Sequence, residues 1–254
     1  MSLLEAAAIL LAGVAAGTIN TVVGSGTLIT FPTLLAFGVP PVTANVSNNI
    51  GLVPGSVTGA VGYRRELSGQ RSRVLRLLSA SVIGGGVGAV LLLVLPEGAF
   101  SAIVPVLILL GVVLVIFQPR LSAWVAGRSE ARGTTERDGA WWVWPAVLLT
   151  GVYGGYFGAA QGVLLMAVLG IGLSEHLQRL NAVKNVLAAA VNAVAGLLFV
   201  FIADVDWRVV ALIGCGAVVG GLIGARVGRR LPPSVLRAVI VVVGLVALVS
   251  LLLT

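Results

Sequence analysis

Charge is the scarcest property of this chain: Asp, Glu, Lys and Arg make up 10% of its 254 residues, well under the ~25% of an ordinary soluble domain. A globule with so little polar surface would not stay dispersed in water, which excludes a soluble fold. Cysteine occurs once, at Cys215, and histidine once, at His176; an internal disulfide and a Cys/His metal cluster are thereby excluded, and Cys215 reads as a small packing residue. No Walker A lysine follows a Gly-rich loop, and no HExxH or Ser/His/Asp arrangement is present. Gly24-x-Gly26 lacks the third glycine and the βαβ unit of a dinucleotide site. Neither ATP-driven pumping nor intramembrane hydrolysis is expected, so the chain reads as a non-enzyme without a cofactor. The net charge of +7 does not indicate nucleic acid, because the basic residues are scattered in short gaps and not gathered on one solvated face. The N-terminus is apolar but carries Glu5 where a signal peptide has a basic region, and the apolar character runs far past any cleavage point, so it reads as mature structure.

What the chain has in abundance is apolar residues, at 58%, and glycine, at 34 residues, with a mean hydropathy of +1.10. It is read as an all-α polytopic membrane protein. No charge occurs from Ala6 to Tyr63, close to three bilayer passes at ~20 residues each. Gly24-Ser25-Gly26, Pro32 and Gly38-Val39-Pro40-Pro41 divide it into two short segments, about 4–22 and 26–38, and a fuller helix from about 44 to 63. Two spans follow between Leu77 and Pro119, separated by Pro96-Glu97-Gly98. A polar stretch from Gln118 to Gly139 reads as a linker loop, dividing the chain into a first transmembrane repeat (1–117), a cytoplasmic linker (118–139) and a second repeat (140–254). Past it, the uncharged run Gly139 to Ser174 allows two short passes or a re-entrant hairpin, before spans at about 182–203, 208–227 and 233–254.

Most of the Lys/Arg falls in three gaps: Arg64, Arg65, Arg71, Arg73 and Arg76; Arg120, Arg128, Arg132 and Arg137; and Arg226, Arg229, Arg230 and Arg237. These gaps should face the cytoplasm. The gap at Glu97 and the one at Asp204, Asp206 and Arg208 suit the opposite side, while Arg179 and Lys184 return the chain to the cytoplasmic side. Ten segments with both termini outside satisfy the alternation.

Sliding the sequence on itself by 136 residues pairs Asn45 with Asn181, Asn49 with Asn185, Gly84-Gly85 with Gly220-Gly221, and Pro96 with Pro232. A shift of 138 brings Gly13, Gly17 and Gly24 onto Gly151, Gly155 and Gly162. Five segments per half deliver the second half upside down, so the expectation is two inverted-topology repeats, each opening with a broken or re-entrant helix pair. That pattern points to a secondary transporter with a site near midplane between the repeats.

Polar groups inside hydrocarbon cost free energy unless satisfied, so those in charge-free spans are the functional candidates. In the first half the proposed substrate-binding residues are Asn20, Thr21, Gly24, Ser25 and Gly26 at the break, then Asn45, Asn48 and Asn49. In the second half they are Gln161 and Gly162 at the break, then Asn181, Lys184 and Asn185. Thr18, Thr27, Ser47 and Asn192 are further polar residues in these spans. Each break would expose the first N–H groups of a half-helix, a partial positive charge suited to an anion, and the amides would add donors while staying neutral. Lys184, the one lysine, either supplies a formal positive charge to the pocket or snorkels to the cytoplasmic interface. Glu175 and His176 read as a solvated loop pair rather than a proton relay. Gly13/Gly17, Gly55/Gly59, Gly84/Gly88 and Gly220/Gly224 have the spacing of close helix packing.

The stretches GTINTVVGSGTLITFPTLLAFGVPPVTANVSNN and GVYGGYFGAAQGVLLMAVLGIGLSEHLQRLNAVKNVLAAAVNAVAGLLF resemble the two halves of the TauE/SafE family of membrane transporters. In the second half Gln161 stands where a further Gly is expected, and no Pro matches Pro32. The resemblance implies a permease of the bacterial cytoplasmic membrane that exports sulfite or a small organosulfonate. The residues by themselves favour a small anion carried by alternating access, with a passive anion channel and a non-transporting scaffold as alternatives. A cation transporter is disfavoured, since no Asp or Glu lies within any expected span. The partners are the small anion and the lipid bilayer, and self-association into a homo-oligomer is left open.

Overall fold

The computed structural model describes residues 1–131 and 140–227, together with residues 238, 240–246 and 248–249. The described residues form helices and no strands. In order these are α1 (Leu3–Val22), α2 (Thr27–Ala36), α3 (Pro41–Gly62), α4 (Arg71–Val94), α5 (Glu97–Ala131), α6 (Val143–Tyr156), α7 (Gln161–Gly172), α8 (Leu177–Ile202) and α9 (Trp207–Val227), with residues 240–246 also helical. Arg132, Arg137, Arg229, Arg230, Pro232 and Arg237, most of the span at 233–254 and the linker residues 132–139 lie outside the described residues.

The local signals explain most of these boundaries. Ser2 and Glu5 close a capping box at the start of α1, supplying acceptors to N–H groups that have no partner within the helix. Pro41 opens α3 at its first position, where a missing N–H costs nothing. The breaks at Gly24, φ 92°, and Gly158, φ 77°, place glycine where an L side chain is strained.

Among the described residues, five helices are long and apolar enough to cross a bilayer: α1, α4, residues Gly98–Arg120 of α5, α8 and α9 to Arg226. The chain is a multi-pass membrane protein. α2 and α7, of 10 and 12 residues, are about 15–18 Å long, near half the ~30 Å hydrocarbon thickness, as their short apolar runs led one to expect. The stretch from Gln118 differs from the expected loop, because residues 118–131 continue α5 as helix. The charges there end the membrane-crossing window at Arg120, but Ala, Arg, Glu and Leu are all adequate helix formers and do not end the helix.

Glycines set the packing. A Cβ on Gly17 would lie 2.8 Å from Ala217 Cα, and one on Gly220 would lie 2.8 Å from Thr18 N, so α1 and α9 touch backbone to backbone. Gly13 faces Ile213 and Gly224 faces Thr21, which makes the two helices run the same way. α4 and α6 pair in the same manner, with Gly84 against Val152 and Gly88 against Tyr156. By contrast α3 and α8 run in opposite directions, because Ile50 meets Gly196 while Ser56 meets Asn192. The small-residue spacing read from the sequence thus serves helix packing.

Loops meet at both ends of the bundle. Arg73 at the start of α4 reaches Glu175 before α8, and Arg179 reaches Ser68 O, joining the two loops that the charge pattern assigned to one side. At the other end, Asp206 N donates to Ser47 Oγ at the start of α3. Phe31, Phe100, Tyr156 and Phe157 form an edge-to-face aromatic knot tying α2, α5 and the end of α6.

Gly17→Val and Gly220→Val should each force α1 from α9 and lower the unfolding temperature of the purified protein, the overpacking cost being about 1–3 kcal/mol or more. Gly98→Ala, where a Cβ would have nothing within 4 Å, should leave it unchanged in the same detergent melt.

Candidate functional site

Where α1 and α6 stop, their last carbonyls lose helical partners inside an apolar protein, where an unmet acceptor costs about 1–3 kcal/mol. The facing half meets them. Lys184 Nζ donates to Asn20 O at 3.0 Å and Thr21 O at 3.4 Å. Asn181 and Asn185 donate their amides to Thr21 O at 3.2 and 3.3 Å. On the other side Asn45 Nδ2 donates to Tyr156 O at 2.9 Å. Residues of the second and third turns of α3 and α8 therefore cap the broken ends of α6 and α1. Lys184, fully buried at 0% exposure, neither snorkels nor lines the pocket directly; its Nζ sits on the carbonyl end of α1, the end that carries partial negative charge.

The N-terminal sides of the breaks differ from the expectation of free N–H groups. Gly26 N donates to Asn20 Oδ1 at 2.7 Å, and Gly162 N donates to Gly24 O at 3.0 Å. A Cβ on Gly24 would lie 2.9 Å from Gly162 C, so the two breaks cross in direct backbone contact; the Gly162 amide is taken by the other break and the Gly26 amide by the end of its own α1. These two backbone N–H groups are therefore not free for a ligand. Asn48 likewise works locally, accepting from Thr30 Oγ1 and donating to Thr27 Oγ1.

Beside the crossing lies a small polar cavity of about 30 Å³. Six of the expected residues line it: Asn20, Thr21, Gly24, Gln161, Gly162 and Asn185. Thr27, Ser56, Gly158, Ala188 and Asn192 complete the lining. Asn192 Nδ2 donates to Ser56 Oγ at 3.3 Å, and these two residues are themselves separated by the 136-residue repeat shift. Gly24 and Gly162 are likewise paired by the 138-residue shift, so residues aligned in the sequence touch each other twice at the cavity. Ser56 escaped the sequence reading because one hydroxyl in an apolar run is common; its pairing with Asn192 under the repeat shift was the available signal.

Gln161 is the group most free to act. It is 4% exposed, its Nε2 has no hydrogen-bond partner among the described residues, and its amide is seated over Gly154, where a Cβ would come within 2.6 Å of that nitrogen. The remaining expected residues, Ser25, Gly26, Asn45, Asn48, Asn49, Asn181 and Lys184, surround the crossing without lining the cavity. Ser25 Oγ and Asn49 Oδ1 are buried and unpartnered.

Glu175 lies outside the helices, and it pairs with Arg73 at 2.9 Å and Arg179 at 2.8 Å, not with His176. Burial alone would raise its carboxyl, but the hydrogen bonds and charges of the two arginines outweigh that and hold it below the ordinary carboxylate value. A depressed folded value means stabilisation that is complete above the unfolded value and lost as pH falls through the folded one. The melting temperature of wild type should therefore fall toward that of Glu175→Gln as pH drops below the ordinary carboxylate range. The two proteins should differ most near neutrality, as a pH series of melts would read.

Comparison with known proteins agrees with this architecture. The family model described as Sulfite exporter TauE/SafE matches residues 9–251. The chain is 26% identical over 244 residues to "Probable membrane transporter protein ORF9" of Sinorhizobium sp, covering 93% of this chain and 88% of the relative. It is 27% identical over 253 residues to "Probable membrane transporter protein YfcA" of Escherichia coli (strain K12), covering 93% and 86%. A "Probable membrane transporter protein" of Haemophilus influenzae is 24% identical over 230 residues, covering 91% and 88%. No solved structure matches.

Proposed function

We propose, from the premise that this chain belongs to the sulfite exporter TauE/SafE family, that it is a secondary transporter exporting a small sulfur oxyanion, sulfite or an organosulfonate, across the bacterial cytoplasmic membrane. The observation that carries this reading is the crossing of two interrupted helices beside a polar cavity in an otherwise apolar protein. Neutral amides and hydroxyls from Asn20, Gln161, Asn185, Asn192, Thr27 and Ser56 can donate to sulfonate oxygens, and an unpaired carboxylate, which would repel an anion, is not among the lining residues. A site of neutral donors binds well enough to select and weakly enough to release.

The halves act as inverted repeats in this reading. The antiparallel contact of α3 with α8, the matched packing of α1 on α9 and of α6 on α4, and the self-paired Ser56–Asn192 and Gly24–Gly162 contacts support a two-fold axis through the cavity. Such an axis lets one arrangement open to one side and its mirror in chain order open to the other, which is alternating access about a fixed site.

The test is counterflow of labelled sulfite into proteoliposomes. Wild type should give saturable uptake stimulated by sulfite inside. Gln161→Ala and Asn192→Ala should each lose most of it, at least about tenfold in kcat/KM if each removes a charge-assisted hydrogen bond of about 1.5–3 kcal/mol. Flux that never saturates, or both variants working as wild type, would overturn the proposal.

A further inference from the structure

We infer that the cavity selects a singly charged oxyanion over a doubly charged one of the same shape, and that Lys184 supplies the one formal charge of the site. This rests on the anion-transport reading above and sharpens it to a substrate charge.

The charges that reach the cavity can be enumerated. No Asp, Glu, Lys or Arg is among the lining residues. Four helix ends converge on it: the starts of α2 and α7 and the ends of α1 and α6. Each end carries about half a charge, positive at a start and negative at an end, so the two pairs cancel. What remains is Lys184. Its ammonium is fully buried and held by the carbonyls of Asn20 and Thr21, two residues that also line the cavity. No ion pair to an acidic residue is formed by Lys184 among the described residues. With Lys184 protonated, the net charge presented to the cavity is about one positive unit.

A ligand carrying one negative charge completes this arrangement. Gln161, whose buried amide nitrogen lacks a partner, then donates to one of its oxygens. A second negative charge finds no counter-charge, and the cost of stripping water from an ion rises with the square of its charge, about fourfold for a dianion. Neutral amides offset only a part of that, since a hydrogen bond to a charged group contributes about 1.5–3 kcal/mol. Tight geometric fit does not rescue the dianion, because shape is the same for both.

Methanesulfonate and sulfate test this directly, being tetrahedral sulfur oxyanions of nearly equal size with one and two charges. Binding is measured on the purified full-length protein by titration calorimetry and by ligand-induced thermal shift. Methanesulfonate should bind at least tenfold more tightly than sulfate. In Lys184→Met that advantage should vanish through loss of methanesulfonate affinity, with the ligand-free melt reporting whether the variant is folded. If Lys184→Met does not fold, the wild-type comparison decides alone. Sulfate binding as tightly as methanesulfonate would overturn the inference and leave anion transport standing. A folded Lys184→Met with unchanged methanesulfonate affinity would overturn the assignment to Lys184. Absence of binding by either anion, with no sulfite counterflow, would remove the transport reading itself and this inference with it.

Discussion

The structure depends on closing broken backbone inside an apolar protein. A helix that stops within a membrane leaves carbonyls with no water to turn to, and here each half supplies the stopper for the other. Lys184, Asn181 and Asn185 on α8 hold the end of α1, while Asn45 on α3 holds the end of α6. Because the capping groups come from the opposite half, neither break is satisfied in isolation. The polar residues that look extravagant in so apolar a sequence are, in large part, the hydrogen-bond partners that let the helices end where they do.

The site follows from that constraint. Once α1 and α6 end mid-protein, Gly24 and Gly162 can cross with their backbones in contact, and α2 and α7 leave in new directions. The crossing cannot be filled by side chains, since neither glycine has one, and a polar cavity remains beside it between α3 and α8. Capping consumes Asn45, Asn181 and Lys184 as donors, whereas Gln161, Ser56 and Asn192 face the cavity. The division of labour is between residues that stabilise the ends and residues that line the cavity, with Asn20, Thr21 and Asn185 sharing in both.

Much of this was legible beforehand because glycine, proline and charge are punctuation. Gly24 interrupts the first apolar run, Gly38-Val39-Pro40-Pro41 precedes a helix, and the arginine gap at 64–76 separates α3 from α4. Asn45/Asn181 and Gly24/Gly162, paired by sliding the sequence on itself, mark the caps and the crossing. Two things were not visible. Residues 118–131 keep the helical geometry of α5 because a charged stretch ends a membrane crossing without breaking a helix. The amides of Gly26 and Gly162, expected to face an anion, are bonded to Asn20 Oδ1 and Gly24 O, an outcome of how closely two chain segments far apart in sequence approach. Local sequence says which groups lack partners; only packing says whether another segment or a solute meets them.

The most direct test of the central claim is to locate a bound ligand with a heavy atom. An experimentally determined structure of the protein with 2-bromoethanesulfonate should show the sulfonate between the Gly24–Gly162 crossing and the Ser56–Asn192 pair, with the Gln161 amide on one of its oxygens. Bromine signal confined to the protein surface, with Gln161 still unpartnered at saturating ligand, would contradict the account.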